Sequence, residues 1–126
     1  MDIVLETGSD QKKLVFENVR GGWESIECTL VIDSDGFMAR RPFGFDQLVE
    51  VIKQLQKMDT ELKGKVRLQE PYSDDLIELE CDSKGHIVVT GQLVHYDDVS
   101  QSLEFGFITD QTCLKPLIAA FRRISR

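Results

Sequence analysis

The residues best suited to chemistry stand together in LEFGFITDQTCLKPLI, residues 103 to 118, where Asp110, Gln111, Thr112 and Cys113 follow one another. An acid, an amide, a hydroxyl and a thiol at the entrance to a helix are the ingredients of nucleophilic catalysis. A helix N-terminus favours a thiolate, and a histidine beside it would complete a nucleophile–base pair. His86 and His95 are the two histidines available.

The spacing points elsewhere. Cys113 borders an apolar helical stripe of Leu114, Leu117, Ile118, Phe121 and Ile124. Burial there raises a thiol's pKa and leaves it a small inert hydrophobe. Pro116 cannot donate a helical hydrogen bond, so the regular helix is expected to start near Thr112 or Cys113, with the proline in or beside the permissive first turn. Asp110 then belongs to a preceding turn, its carboxylate accepting from the backbone N–H of Thr112 or Cys113. The corner reads as a strand turning into a helix.

Other chemical motifs fall short. DSDG, residues 33 to 36, shares residue types with a calcium loop, but its glycine comes fourth instead of sixth and no glutamate follows at the twelfth position. Gly21-Gly22 has no GxxxxGK around it, and neither GxSxG nor HExxH occurs. Cys28, Cys81 and Cys113 are an odd number and lie far apart, which suits reduced thiols and offers no zinc spacing. No cofactor or metal is expected.

The elements that would position these residues are legible from periodicity. In WESIECTLVI (23 to 32), Ile26, Cys28, Leu30 and Ile32 share one face, the mark of a half-buried strand. DSDG supplies a turn, and FMARRP reads as the return strand, ended by Pro42. GFDQLVEVIKQLQKM (44 to 58) changes period: Phe45, Leu48, Ile52, Leu55 and Met58 predict a helix, with Val49 and Val51 widening the stripe. KVRL (65 to 68), LIELEC (76 to 81), HIVVTGQL (86 to 93) and SLEFGFIT (102 to 109) alternate as strands, the second and third joined by DSKG. DIVLE and KLVFE are two further strands near the N-terminus. Tight turns force antiparallel neighbours. The expected fold is α+β: one curved antiparallel sheet of about six to eight strands, with both helices on its apolar face.

Composition bounds the function. The 126 residues are 41% hydrophobic and 29% charged, which suits one globular domain spanning 1–126. No apolar run approaches the ~20 residues of a membrane span, and the N-terminus lacks a signal peptide's pattern, so a cytoplasmic location is expected. A net charge of −7 disfavours nucleic acid, whose phosphates need lysine and arginine, and is compatible with a basic protein partner. Between Glu70 and Asp82 stand six carboxylates and no basic residue: Glu70, Asp74, Asp75, Glu78, Glu80 and Asp82. They are the candidate partner-binding surface, unless Arg40, Lys65 and Arg67 neutralise them across the sheet.

The order of segments resembles the WapI family of immunity proteins, small bacterial antidotes to contact-dependent toxins. WESIECTLVIDSDGF, FDQLVEVIKQL, LIELECDSKGHIVVTGQL and LEFGFITDQTCLKPLIAAF carry the resemblance, over about residues 20 to 124. Its most specific parts are the junction at Asp110 to Leu114 and the run from Gly85 to Gly91. The resemblance implies a non-enzymatic protein that binds and neutralises a cognate toxin domain; in the family's best-known pairing that toxin is a nuclease acting on tRNA. A general interaction module, or a small enzyme using Cys113 or His86, are the alternatives, and the oligomeric state stays open.

Overall fold

The computed structural model describes residues 1–22 and 24–125. Trp23, which heads the strand expected at 23 to 32, and Arg126, which follows the last helical stripe, lie outside the described residues.

The chain runs β1 (Ile3–Leu5), β2 (Lys12–Gly21), β3 (Ser25–Ser34), β4 (Phe37–Asp46), α1 (Leu48–Glu61), β5 (Gly64–Gln69), β6 (Leu76–Cys81), β7 (His86–His95) and β8 (Gln101–Asp110), then a 3-10 turn (Gln111–Cys113) and α2 (Leu114–Ile124). The class is α+β; among the described residues every strand pair is antiparallel, and eight strands accompany two helices. The strands fall into two sheets of four, β1-β2-β3-β4 and β5-β6-β7-β8, instead of one continuous sheet. The division comes at α1, which takes the chain away from β4 before β5 begins. Each sheet is therefore a meander of sequential neighbours.

Alternation builds the inner faces as the sequence pattern requires. Ile26, Cys28, Leu30 and Ile32 of β3 are buried, as are Ile77, Leu79 and Cys81 of β6. The first hairpin turn is tighter than four residues. Asp35 and Gly36 both take positive φ, 53° and 91°, while the Asp33 carboxylate accepts the Gly36 N–H at 3.0 Å. At Gly91 the Phe105 ring crosses the backbone so closely that a Cβ would lie 2.5 Å from its Cζ, which only glycine permits.

Two expectations fail at the end of β4. Pro42 does not end the strand but pairs with Thr29 inside it. β4 is an edge strand, and a proline whose missing N–H would point away from the sheet costs no ladder bond. Phe45 is the inward residue of β4, 2% exposed, and the helix begins only at Leu48. The spacing from Phe45 to Leu48 fits a helical stripe and a strand's end equally well. Val51 joins the buried stripe of α1 while Val49 stays exposed.

Buried residues from both sheets and both helices form one continuous cluster. Its aromatic centre is Phe121 of α2, 0% exposed, which meets Phe16 of β2 and Phe45 of β4 edge-on at centroid distances of 5.8 and 5.7 Å. Edge-to-face aromatic pairs add to the area they bury. Phe121→Ala should lower stability by about 3–5 kcal/mol in urea unfolding with little change in m. A loss below about 1 kcal/mol would mean the last helix is not anchored through this ring.

Candidate functional site

The corner at residues 110 to 113 is built as a cap. The Asp110 carboxylate accepts the Thr112 N–H at 2.9 Å, in the extended conformation of an N-cap. α2 starts at Leu114, so Pro116 falls in its first turn, where no helical donor is required. Cys113 is 1% exposed, and burial pushes its thiol up to about 12, with the Asp110 charge adding to the rise. Cys28 is pushed equally far, first by burial and then by the Glu70 carboxylate. His86 stands beside the corner, paired with Asp110 across β7 and β8, but its Nδ1 lies 3.4 Å from the Asp82 carboxylate. His95 stands at the opposite end of β7.

The six carboxylates between residues 70 and 82 do not share one face. Asp75 is 4% exposed, and its Oδ1 accepts the Val94 N–H at 2.7 Å, joining the β5–β6 loop to β7. Glu70 reaches from the end of β5 to the first sheet, where its Oε2 accepts the Gly44 N–H at 3.0 Å. Burial nevertheless raises its pKa, more than that bond lowers it. Asp82 accepts the N–H groups of His86 and Lys84 at 2.9 and 2.8 Å, which hold its carboxyl below the usual range. Glu78 and Glu80 stand on the solvent face of β6, opposite Arg67 and Lys65 in the β5 register. Arg67 approaches Glu78 at 3.1 Å, and Lys65 lies 4.0 Å from Glu80. Arg40, a further candidate for neutralising them, pairs with Glu17 at 2.7 Å instead. Asp74 stays exposed and accepts the Tyr96 hydroxyl at 2.8 Å.

Sequence periodicity overlooked a second feature. A groove of about 430 Å³ runs between Met38–Arg41 of β4 and the facing ends of β7 and β8, Leu93–His95 and Gln101–Leu103. Arg41 pairs with the buried Leu30 and so projects from the inward face of its strand. Its Nη2 lies 3.3 Å from His95 Nδ1. The signal was present in FMARRPFGF, where a guanidinium interrupts the inward series Ala39, Phe43, Phe45.

Among the described residues no helix is long and apolar enough to cross a membrane, and no three His, Cys, Asp or Glu side chains are brought together as a metal site would need. The model of the immunity protein WapI-like family matches residues 10–126. The chain belongs to that family. No curated protein and no solved structure matches it. Membership of the WapI-like immunity family reaches about ten residues further toward the N-terminus than the segments from residue 20 onward suggested. β2 begins at Lys12 and pairs along β3, so the family frame includes the strand that carries Phe16.

Two outcomes test this account of the WapI-like chain's titrating groups. Cys28 and Cys113 should resist alkylation near pH 7 in the folded protein and react fully in denaturant; rapid labelling of the native protein at either thiol would reopen the nucleophile. Glu70, with its pKa raised on folding, contributes stability that is complete at low pH and is lost as pH rises from about 4.5 through the folded value. Glu70→Gln keeps an acceptor for Gly44 and should flatten that part of the melting-temperature profile. An unchanged slope would show that the carboxylate is not the group responsible.

Proposed function

We propose that this protein is an immunity protein that binds a cognate toxin domain and neutralises it without catalysis. The observation that carries the reading is the family match over residues 10–126. The state of the thiols supports it: burial keeps Cys28 and Cys113 protonated at neutral pH, so neither is prepared as a nucleophile.

The partner in this reading is a basic protein domain, as a nuclease that holds RNA would be. The net charge of −7 attracts such a domain at long range. In the contact surface we assign, the carboxylates from Glu70 to Asp82 supply the charge. Asp74 and Glu80, both exposed, make direct contacts. Asp75 is buried and Glu70, Glu78 and Asp82 are half-buried, and their bonds and ion pairs hold the loop and strand in place.

Co-expression with the toxin domain encoded beside this gene should restore growth, and the two proteins should elute together. Unrescued growth with no complex would sink the reading. An Asp74→Lys, Glu80→Lys double variant should associate about tenfold more slowly at low ionic strength, with the difference shrinking as salt is added. Stopped-flow mixing measures this, and equal rates at every salt concentration would remove the acidic carboxylates from the contact surface.

A further inference from the structure

Edge strands expose unpaired N–H and C=O groups, and proteins usually guard them. β4 guards only half of its edge. The Gly44 N–H donates to the Glu70 carboxylate and so faces away from β3. By alternation the backbone groups of Pro42, Arg40 and Met38 face the same way. The two-residue turn at Asp35–Gly36 agrees, because it makes Ser34 and Phe37 the hydrogen-bonded closing pair. At the C-terminal half, Glu70 covers Gly44 and Pro42 has no hydrogen to offer. At the N-terminal half no described residue takes the outward N–H of Met38 or Arg40.

That unguarded half is also where apolar side chains and an unused cationic donor meet. Phe37 and Met38 are 67% and 69% exposed, and Tyr96, beyond the groove, is 69% exposed. Arg41 Nε is buried beside the groove, and no described residue accepts its hydrogen. A buried donor without an acceptor is costly, more so when it belongs to a charged group.

Resting on the reading of the protein as an immunity protein, we infer that the Phe37–Arg41 edge of β4 and the adjoining groove receive an extended, acidic segment of the cognate toxin domain by strand addition. Main-chain bonds to Met38 and Arg40 supply affinity, and a carboxylate beside the groove satisfies Arg41 Nε. Charge selects this occupant over a second copy of the chain, since an antiparallel pair of β4 strands would set Arg40 and Arg41 against the same cations. Asp74, bonded to Tyr96 next to His95, places the opposite sign at the margin of the same surface. A toxin that is basic overall can therefore be drawn in and then held by one acidic strand, the two signs fixing its register.

Calorimetry of the full chain with an inactive form of the toxin domain encoded beside this gene, joined to hydrogen exchange on the complex, tests the inference. The Met38 and Arg40 amides should gain protection in the wild-type complex. Arg41→Glu and Arg40→Pro should each weaken binding by about tenfold or more while melting near the wild-type temperature; the proline removes the outward N–H together with the exposed ion pair to Glu17, and Arg40→Ala, which loses the ion pair alone, should bind as the wild type does. Should either variant misfold, exchange in the wild-type complex decides alone. Full affinity in both folded variants, or a complex that leaves these amides unprotected, overturns the strand addition and leaves the immunity reading standing. A wild-type chain that binds no toxin overturns both. A dimer of the free chain abolished by Arg40→Pro would give the edge to a second copy and overturn the inference as well.

Discussion

The fold depends on one aromatic contact between the chain's last helix and its first sheet. Phe121 lies between Phe16 and Phe45, two strands apart in β1-β2-β3-β4, and meets both rings edge-on. No local propensity brings these residues together. The contact closes the chain by joining its C-terminal helix to strands formed near its beginning. The 3-10 turn, with Cys113, leads into α2 from the end of β8. The corner rich in polar groups forms the entrance to the helix, its acid bonded to a backbone donor and its thiol buried.

The two sheets share one apolar core, and polar bonds tie them together at the margins. Glu70 crosses to the Gly44 N–H, and the Ser34 hydroxyl donates to the Gly106 carbonyl at 3.4 Å. Thr109 reaches the Glu6 carbonyl at 3.1 Å. These bonds use carboxylates and hydroxyls that a sequence reader would assign to solvent. They leave two kinds of surface: an acidic margin around Asp74 and Glu80, and a cationic, partly apolar seam at Arg41. A protein whose task is to recognise another protein benefits from both, because mixed signs on one surface select orientation as well as partner.

Much of the architecture was legible in residues close together in sequence. The alternation of Ile26, Cys28, Leu30 and Ile32, or of Ile77, Leu79 and Cys81, identifies a strand and its inward face without reference to anything distant. Asp110 and Pro116 are legible for the same reason, since cap and proline act within a turn of the helix. Phe45 was misassigned because a spacing of three to Leu48 satisfies a helix as readily as a strand's last inward residue. Pro42 was misread because the cost of a missing N–H depends on whether a neighbouring strand lies on that side.

The sequence by itself determined the class, the helices, the strand faces, the cap at Asp110 and the family frame, all of which rest on short-range periodicity or on the order of segments. Only the tertiary structure decided that the strands divide into two sheets and that β4 is an edge guarded along half its length. It also decided which carboxylates remain available. Asp75 and Asp74 are adjacent in the chain, yet one is buried against the Val94 N–H and the other exposed beside Tyr96. Exposure and pairing are set by segments tens of residues away, and a local pattern carries no record of them.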